Sequence, residues 1–586
     1  GHQSFQWLLV LLGYAALLYL LVSCLTGWRQ VVGFLVLIFV VAGVEAGLAI
    51  AQGGWLKAQR PAGTFFNPNF LAGYLAAAGT ILLGIIGYRL RWRDLARLSR
   101  TRSQLLSLGL LCLLSLLLVA ILWTGSRGAG LALLGGLALV LGCRFGRKMW
   151  GLLLLGLMMT VLLPNPIRDR FVDEYERNPV GYARWEIWKS SAKAILDHPA
   201  GVGLGLYQYV SPRYSFPIND QITRYGTVAR RAHSEYLQMA VELGVLSLGL
   251  FAWGVVMVFR EAGRAARQRL RRWQRGLVVG TMGAVATILL HAFVEANLHS
   301  PAVAILLTVC VAMLLAVRRL GHPQAGNSHH LLVRHRSVWL GIVVLIVGAF
   351  AVESVRLGVG FLAYESGSRA LRNSEFTEAL SHFERAVSWD PGAALYHSSL
   401  GAAHFQVFLR THQPESAKEA LAQLRLATSL NPLDGRLVGL SAHVYATLAS
   451  SLPQSVEGSE PLVSQRVAWL TTAQSLYQRA LKLEPYSPFY RLELGKLHLV
   501  LDDPGQAEAV VQDAIALEPN FLPARLWLAE RYLGTGRVEE ARTQFGQILQ
   551  RHRRYAEAPK NSIEERYLAV DVSTVEATLQ RMAEPV

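Results

Sequence analysis

The sequence is poor in charged residues and in cysteine, and it lacks the short motifs of common soluble enzymes. Only 17% of its 586 residues are Asp, Glu, Lys or Arg, against roughly 25% in a typical soluble domain. It contains no HExxH, CxxC or Gly-x-Ser-x-Gly motif, and no complete phosphate-binding or dinucleotide-binding loop. Four cysteines lie in or beside apolar runs without metal-ligand spacing: Cys24, Cys112, Cys143 and Cys310. We therefore expect no metal and no cofactor, and the first half is not expected to be a soluble enzyme.

Long apolar runs are what the sequence has in abundance. Hydrophobic residues make up 52% of the chain, and runs of about 20 residues recur through its first 356 positions. A run of that length predicts a helix that crosses the membrane. Ten spans are predicted: 6–27, 31–51, 70–88, 104–124, 129–143, 149–163, 236–259, 277–298, 301–317 and 338–356.

Basic residues between these spans predict the orientation of the chain. Four segments on the same side of the predicted membrane hold 20 Arg and Lys against two acidic residues: 89–102, 144–148, 260–275 and 318–336. Because basic loops remain in the cytoplasm, this side is predicted to be cytoplasmic. These segments account for the net charge of +17, so we expect no nucleic-acid partner. The loops 52–69 and 164–235 and everything after about 357 then face outward.

After residue 357 the pattern changes to amphipathic helices with a repeat. Four copies share the template Ala-x3-apolar-x2-Ala-x4-Pro, and two successive copies are 34 residues apart where no insertion intervenes. A fifth copy follows with Leu528, Tyr532, Ala541 and Phe545, and residues 451–466 are predicted to form an insertion loop. This pattern resembles the tetratricopeptide repeat, in which small residues let paired helices approach closely. The four template copies are Ala379-Phe383-Ala386-Pro391, Ala420-Leu424-Ala427-Pro432, Ala473-Tyr477-Ala480-Pro485 and Ala507-Val511-Ala514-Pro519.

The predicted fold class is all-α: a polytopic membrane domain of about ten spans followed by an α-solenoid of tetratricopeptide repeats. The repeats are expected either to bind a peptide, protein or glycan, or to act as a structural cap on the membrane part. The predicted divisions are membrane helices (1–163), a large extracytoplasmic loop with an interfacial helix (164–235), membrane helices (236–357), repeats (358–555) and a helical tail (556–586).

Cationic residues on the outward side are the first candidates for a functional site. Arg127 lies at the turn between the fourth and fifth spans, and further arginines populate the outer loop. Such arginines suit an anionic partner, either a lipid headgroup or a substrate diphosphate. The alternative is that most of them are surface residues, because long translocated loops escape the charge rule. The loop arginines are Arg168, Arg170, Arg184, Arg213, Arg224, Arg230 and Arg231.

Arg184 begins a predicted amphipathic helix in this loop. Trp185, Trp188, Ala192 and Ile195 form one apolar stripe on it. A helix with a tryptophan face between two spans is predicted to lie in the membrane interface, with membrane lipids as its contacts. Arg184 would then lie beside the headgroups, at the level of a lipid diphosphate.

Histidines at the outer ends of two spans are the candidate bases. His233 precedes the seventh span, and its imidazole suits proton abstraction from a sugar or serine hydroxyl. The alternative is an ordinary hydrogen-bonded histidine. His291 and Glu295 share a helix face four residues apart. Two such residues are a weak metal signal, so we interpret them as lining a cavity or orienting a histidine.

Several segments between residues 60 and 250 together resemble the O-antigen ligase family. The family includes O-antigen ligases, bacterial protein O-oligosaccharyltransferases and some polysaccharide polymerases. Its members move a glycan from an undecaprenyl-diphosphate carrier on the outer face of the inner membrane, and many carry C-terminal tetratricopeptide repeats. The segments are Gly63-Thr64-Phe65-Phe66-Asn67-Pro68-Asn69-Phe70-Leu71-Ala72-Gly73-Tyr74, Ser126-Arg127-Gly128-Ala129, Arg184-Trp185, Asp197-His198-Pro199, Gly201-Val202-Gly203, His233-Ser234-Glu235-Tyr236-Leu237 and Glu242-Leu243-Gly244.

The resemblance implies roles for three residues. His233 matches the essential histidine of the family, Arg184 matches the arginine that engages the donor diphosphate, and Arg127 matches a further arginine of the site. Transfer without a metal and with inversion at the anomeric carbon is implied, to a lipid, protein or glycan acceptor. A non-enzymatic membrane-anchored repeat scaffold remains the alternative of another class. Supporting roles are assigned to Glu235, Arg231, Asn67, His291 and Glu295.

Overall fold

The computed structural model describes residues 1–89, 102–146, 183–219, 221–226, 228–321, 336–452 and 460–583. Within these ranges the chain forms helices and turns, with no β-strand. It divides into two compact units. The membrane unit comprises Gln6–Leu204 and Arg231–Ala351, and the repeat unit comprises Gly1–Phe5, Gly205–Arg230 and Val352–Val586. The all-α prediction is confirmed.

Nine helices among the described residues are long and apolar enough to cross a membrane. They correspond to nine of the ten predicted spans. The remaining predicted span, 149–163, lies outside the described residues. The helices up to the end of the membrane unit are α1 His2–Cys24, α2 Trp28–Gly54, α3 Pro68–Arg89, α4 Arg102–Thr124, α5 Arg127–Phe145, α6 Ala183–Asp197, α7 Tyr207–Val210 (in the repeat unit), α8 Glu235–Leu243, α9 Val245–Ala266, α10 Arg272–His291, α11 Pro301–Gly321 and α12 Arg336–Arg372.

Two predicted spans have different ends in the structure. The span 236–259 is broken at Gly244, which has a φ of +82°, so the short helix α8 precedes the spanning helix α9. The reason is local, since a glycine at positive φ cannot continue a right-handed helix. The span 277–298 ends at His291, and the residues after it form a turn and a short 3-10 helix, Asn297–His299. Glu295 therefore lies beyond the end of α10.

Helix α3 lies at the centre of the membrane unit and packs closely against α10. Of its most apolar stretch, 89% is buried inside the protein, so little of this helix is left to face lipid. The close approach depends on glycines, since a methyl group on Gly84 would collide with the backbone of Gly276 and Gly280. These two helices position the site, because α3 begins beside Asn69 and α10 leads to Glu295.

The repeat unit consists of paired helices whose predicted small residues are buried. Ala379, Ala386, Ala420 and Ala427 all have no exposed surface, and so have the corresponding alanines of the later copies. The tetratricopeptide prediction is confirmed. The helices are α13 Phe376–Trp389, α14 Ala394–Thr411, α15 Pro414–Leu430, α16 Gly435–Ser450, α17 Glu460–Leu483, α18 Pro488–Val500, α19 Pro504–Leu517, α20 Leu522–Gly534, α21 Val538–Arg554, α22 Ser562–Tyr567 and α23 Val572–Ala583.

Two predicted boundaries fall inside helices. The division at residue 357 lies within α12, which continues without a break from its apolar part to Arg372. The predicted insertion loop 451–466 is helical from Glu460 onward, and residues 453–459 lie outside the described ones. The large loop is also divided, since its described residues from Gly205 to Arg230 belong to the repeat unit.

Candidate active site

The buried carboxylate of Glu295 brings together three distant segments of the membrane unit. Its Oε1 accepts a hydrogen bond from Nδ1 of His233 at 3.0 Å. Its Oε2 accepts hydrogen bonds from Nη2 of Arg184 at 3.0 Å and from Nδ2 of Asn69 at 2.6 Å. Glu295 is only 2% exposed. We call these four residues the Glu295 cluster.

The charges around Glu295 keep its carboxyl ionised. Burial by itself raises the pKa of this group, because it removes water from the charged form. The hydrogen bond from His233 and the positive charge of Arg184 act in the other direction, and with Asn69 they lower the pKa to about 2. The carboxylate is therefore a fixed negative charge at neutral pH. It can stabilise an imidazolium at His233 when that ring takes up a proton.

The geometry of His233 leaves one ring nitrogen available for chemistry. A carboxylate only accepts hydrogen bonds, so Nδ1 of His233 donates and the neutral ring carries its lone pair on Nε2. The side chain is 39% exposed. The backbone of His233 has a φ of +49°, in the left-handed region that residues other than glycine rarely adopt. Helix α8 begins two residues later, after Ser234.

Arg184 is placed by α6, which packs inside the protein through Ala183, Ile187, Ser191 and Ala194. None of the predicted stripe residues is among these, and Trp185 is 62% exposed. The exposed tryptophan is still what a helix at a membrane surface presents.

The segment between α2 and α3 supports Asn69, the second residue of α3. Oδ1 of Asn69 accepts a hydrogen bond from Nη2 of Arg60 at 2.7 Å, while Nε of Arg60 donates to the carbonyl of Thr124 at 3.1 Å. Asn67, the predicted supporting residue, has another task. Its Oδ1 accepts from the backbone N–H of Asn69 at 2.8 Å and shapes the start of α3. Asn69, two residues later in the same motif, makes the contact with Glu295.

Glu235 anchors the neighbouring turn. It is buried, and its Oε1 accepts hydrogen bonds from the backbone N–H of Leu298 at 2.6 Å and from Nδ1 of His299 at 3.1 Å. Its own N–H donates to the carbonyl of Ala292. The structure thus gives Glu235 a supporting position, because it fixes the turn that follows Glu295.

His291 is a packing residue in this structure. It is 1% exposed, and its Nδ1 lies 3.3 Å from Nδ2 of Asn297. A methyl group on Gly73 or Gly128 would collide with or crowd the ring, so His291 fills the space where α3 and α5 approach α10. The predicted pairing of His291 with Glu295 is therefore split: Glu295 orients His233, and His291 packs the helices together.

Arg127 and Arg231 lie on the flanks of the cluster. Arg127 is the first residue of α5, directly after the capping Ser126, and the next residue, Gly128, lies against His291. The guanidinium of Arg231 lies 6.0 Å from the centroid of the Phe70 ring, beside Asn69 in the chain. Arg168 and Arg170 lie outside the described residues.

Two glycines bring two backbone segments into close contact. Gly201 has a φ of +87° and Gly244 a φ of +82°. The N–H of Gly203 donates to the carbonyl of Glu242 at 2.9 Å, and a methyl group on Gly201 would lie 2.5 Å from that oxygen. The resembling segments around Gly201 and Gly244 therefore form one close backbone contact that seats the end of α8.

Comparison with known families supports the resemblance where these residues lie. The O-antigen ligase family matches residues 112–253, and the tetratricopeptide repeat matches residues 501–558. Residues 112–253 are therefore similar to the O-antigen ligase family. This segment holds Arg127, Arg184 and His233. No curated protein matches the chain significantly.

Solved structures match part of the chain at low scores. A thermophilic TPR protein of Thermus thermophilus is 22% identical, with 37% of this chain and 99% of that chain covered and a TM-score of 0.27. PilF of Pseudomonas aeruginosa is 15% identical, with 39% and 93% covered and a TM-score of 0.28. At these scores they carry no argument about function.

The segment similar to the O-antigen ligase family does not contain the whole cluster. Glu295 and Asn69 lie outside residues 112–253, as does Arg60. Sequence reasoning missed Asn69 and Arg60, although both lie in the segment 52–69 that is predicted to face outward, and Asn69 belongs to the Asn67-Pro68-Asn69 motif. In the part of the chain that the structure describes, no three His, Cys, Asp or Glu side chains are grouped as a metal site requires.

Proposed function

We propose that this membrane protein transfers a glycan from an undecaprenyl-diphosphate carrier to an acceptor hydroxyl on the outer face of the bacterial inner membrane. The observation that carries the proposal is the Glu295 cluster, in which a buried carboxylate holds a partly exposed histidine and an arginine. A base oriented by a carboxylate beside a cation is the arrangement that attack by a hydroxyl on a diphosphate-activated sugar requires. The loop 164–235 and the repeats would then lie on the periplasmic side.

The proposed reaction is one displacement at the anomeric carbon. Nε2 of His233 takes the proton of the acceptor hydroxyl as its oxygen forms a bond to that carbon. The bond between the carbon and the diphosphate oxygen breaks, and its electron pair leaves with the diphosphate. Attack opposite the leaving group inverts the configuration. The proposed reaction needs no metal, because cationic side chains can stabilise the leaving charge.

Arg184 is suited to that task by its exposure and its partner. Its side chain is 37% exposed, and Nη2 donates to Glu295. A guanidinium has five N–H donors in a rigid fork, so it can hold Glu295 and a diphosphate oxygen together. Arg127, at the start of α5, is proposed as a second cation for the diphosphate.

The acceptor is proposed to be a lipid, a protein or the end of a growing polysaccharide, which are the acceptors of ligases, protein O-oligosaccharyltransferases and polymerases. A non-enzymatic scaffold would require different residues. A scaffold needs only the fold of the repeats, so it would not depend on His233 or on Arg184.

The direct test is glycan transfer by the purified full chain in proteoliposomes that contain a lipid-linked glycan donor. We expect His233→Ala to lower the turnover by roughly 10² to 10⁴-fold, and Arg184→Ala by roughly 10² to 10³-fold. His382→Ala and the exposed Arg29→Ala are matched controls that should remain active. Transfer by both site variants at the wild-type rate would refute the enzymatic proposal, and loss of transfer in EDTA would refute the metal-free step.

A further inference from the structure

Residues 221–226 of the outer loop are inserted into the repeat unit, and we call them the docked segment. Ile222 is 5% exposed and belongs to the same apolar core as Phe521, Leu492 and Tyr567. Thr223 is likewise 5% exposed. An aliphatic side chain so completely covered contributes to the core of the repeats as their own residues do.

A buried carboxylate binds the backbone of the docked segment. Glu518 has no exposed surface. Its Oε2 accepts the N–H of Arg224 at 2.8 Å, and its Oε1 accepts the N–H of Tyr225 at 2.6 Å. The hydroxyl of Tyr567 also donates to Oε1, at 3.3 Å. Two consecutive amides on one carboxylate fix the direction of the chain at this point.

An amide side chain binds the preceding carbonyls. Nδ2 of Asn520 donates to the carbonyls of Gln221 at 3.1 Å and Ile222 at 3.2 Å. Asn520 is oriented in turn by Nη1 of Arg551, which donates to its Oδ1 at 2.7 Å. Glu518 and Asn520 therefore bind the donors and the acceptors of the same short piece of backbone.

An aromatic pair and an internal turn complete the arrangement. The ring of Tyr225 stacks on that of Tyr486, with centroids 4.3 Å apart and planes 4° apart. The N–H of Ile218 donates to the carbonyl of Arg224 at 2.8 Å and closes the loop on itself. The segment is thus held by an apolar anchor, by four backbone hydrogen bonds and by a stacked ring.

We propose that the C-terminal end of the repeat array is a peptide receptor whose resident ligand is the docked segment of the same chain. This goes beyond glycan transfer and does not depend on it. The receptor groups are Glu518, Asn520 and Tyr486. The ligand is a short turn with a branched aliphatic anchor and an aromatic residue three positions later. A foreign peptide would have to displace Ile222 from the core and take over the hydrogen bonds of buried groups, which are costly to leave unpaired.

Hydrogen exchange of the full chain measures the docking without reference to transfer. In the wild type, the peptide that contains residues 221–226 should exchange slowly. Glu518→Ala should accelerate its exchange by at least roughly tenfold, while Asp513→Ala, an exposed carboxylate on the adjacent α19, should not. Tyr225→Ala changes only the ligand side. Faster exchange in that variant, with the repeats still protected, shows that the effect is not unfolding of the receptor.

A cross-link provides an independent measurement. Cysteines placed at Tyr225→Cys and Tyr486→Cys should be joined by a short bismaleimide, with the linked peptides identified by mass spectrometry. Tyr225→Cys with Lys418→Cys, an exposed position two repeats earlier, is the control pair. Fast exchange of the docked segment in the wild type, or equal linking of both pairs, would overturn the proposal and mean that this surface is free for a foreign partner.

Discussion

Two buried glutamates, one in each unit, show how the same side chain is used in opposite ways. Glu295 is 2% exposed and Glu518 is not exposed at all. Glu295 contacts Arg184 and His233, and its pKa is lowered to about 2 although burial opposes this. Glu518 accepts two backbone N–H groups, and burial raises its pKa above the usual value in spite of them. Burial raises the pKa of both carboxyls, and only at Glu295 do the hydrogen bond from His233 and the charge of Arg184 outweigh it.

The difference fits the proposed catalytic use of Glu295 and a structural use of Glu518. Glu295 remains ionised beside a partly exposed imidazole. Its negative charge can therefore stabilise that ring when the ring takes up a proton. Glu518 accepts hydrogen bonds from two backbone N–H groups and from the hydroxyl of Tyr567, and the positive charge of Arg224 acts on it without overcoming burial. A carboxylate among neutral donors gives direction and specificity to a contact between segments. Substitutions at each glutamate or at its partners test this difference.

Replacing each glutamate by glutamine removes the charge and keeps the shape of the side chain. This change should give the largest difference between the two sites. We expect Glu295→Gln to lower glycan transfer by roughly 10²-fold, because the imidazolium formed at His233 loses its counter-charge. Glu518→Gln should lower transfer far less and should instead accelerate hydrogen exchange in the docked segment. The two assays are transfer in proteoliposomes and exchange of the full chain. Equal losses of transfer in both variants would remove the distinction between the two carboxylates.

A smaller difference is expected from the two asparagines that support these glutamates. Asn69→Ala removes a hydrogen bond to the Glu295 carboxylate, and a loss of about 1.5 kcal/mol corresponds to roughly tenfold slower transfer. Asn520→Ala leaves the carbonyls of Gln221 and Ile222 without their donor. It should lower the unfolding free energy of the repeats by about 1–3 kcal/mol, measured by thermal unfolding. The opposite assignment of the two effects would contradict the roles given to the asparagines.

The pH dependence of stability provides a further comparison of the two glutamates. A carboxyl whose pKa is lower in the folded than in the unfolded chain stabilises the fold when it is ionised. For Glu295 this contribution is complete above the ordinary pKa of 4.5 and is lost as the pH falls towards 2. The stability difference between the wild type and Glu295→Gln should therefore be constant from about pH 8 to about pH 5, and shrink below that.

The corresponding difference for Glu518 should have the other sign. Its pKa is raised in the folded chain, so its ionised form is the one that folding disfavours. Compared with Glu518→Gln, the wild type should therefore lose stability as the pH rises from below 4.5 through the raised pKa. Thermal unfolding of both variants over a pH series measures the two slopes. Parallel slopes would mean that the partners do not control these carboxyls.

The sequence predicts the helices of this molecule better than it predicts the contacts between distant parts of the chain. Alanine spacing identified the buried face of the repeats, because neighbouring helices along the chain meet there. The cluster is different, since Asn69 and Glu295 are 226 residues apart. Helical spacing grouped Glu295 with His291, but α10 ends at His291 and the turn after it directs Glu295 to His233. The docked segment left no recognisable pattern, because its main polar contacts are made by backbone atoms.

The left-handed backbone of His233 makes this position a place where stability and reactivity oppose each other. With a φ of +49°, any residue except glycine carries a conformational cost of about 1–2 kcal/mol. His233→Gly should therefore be more stable than His233→Ala by about 1 kcal/mol, the reverse of the order found in ordinary backbone. Both variants lack the imidazole, so neither should transfer glycan. The position therefore combines a backbone conformation that costs stability with a side chain that the proposed reaction uses.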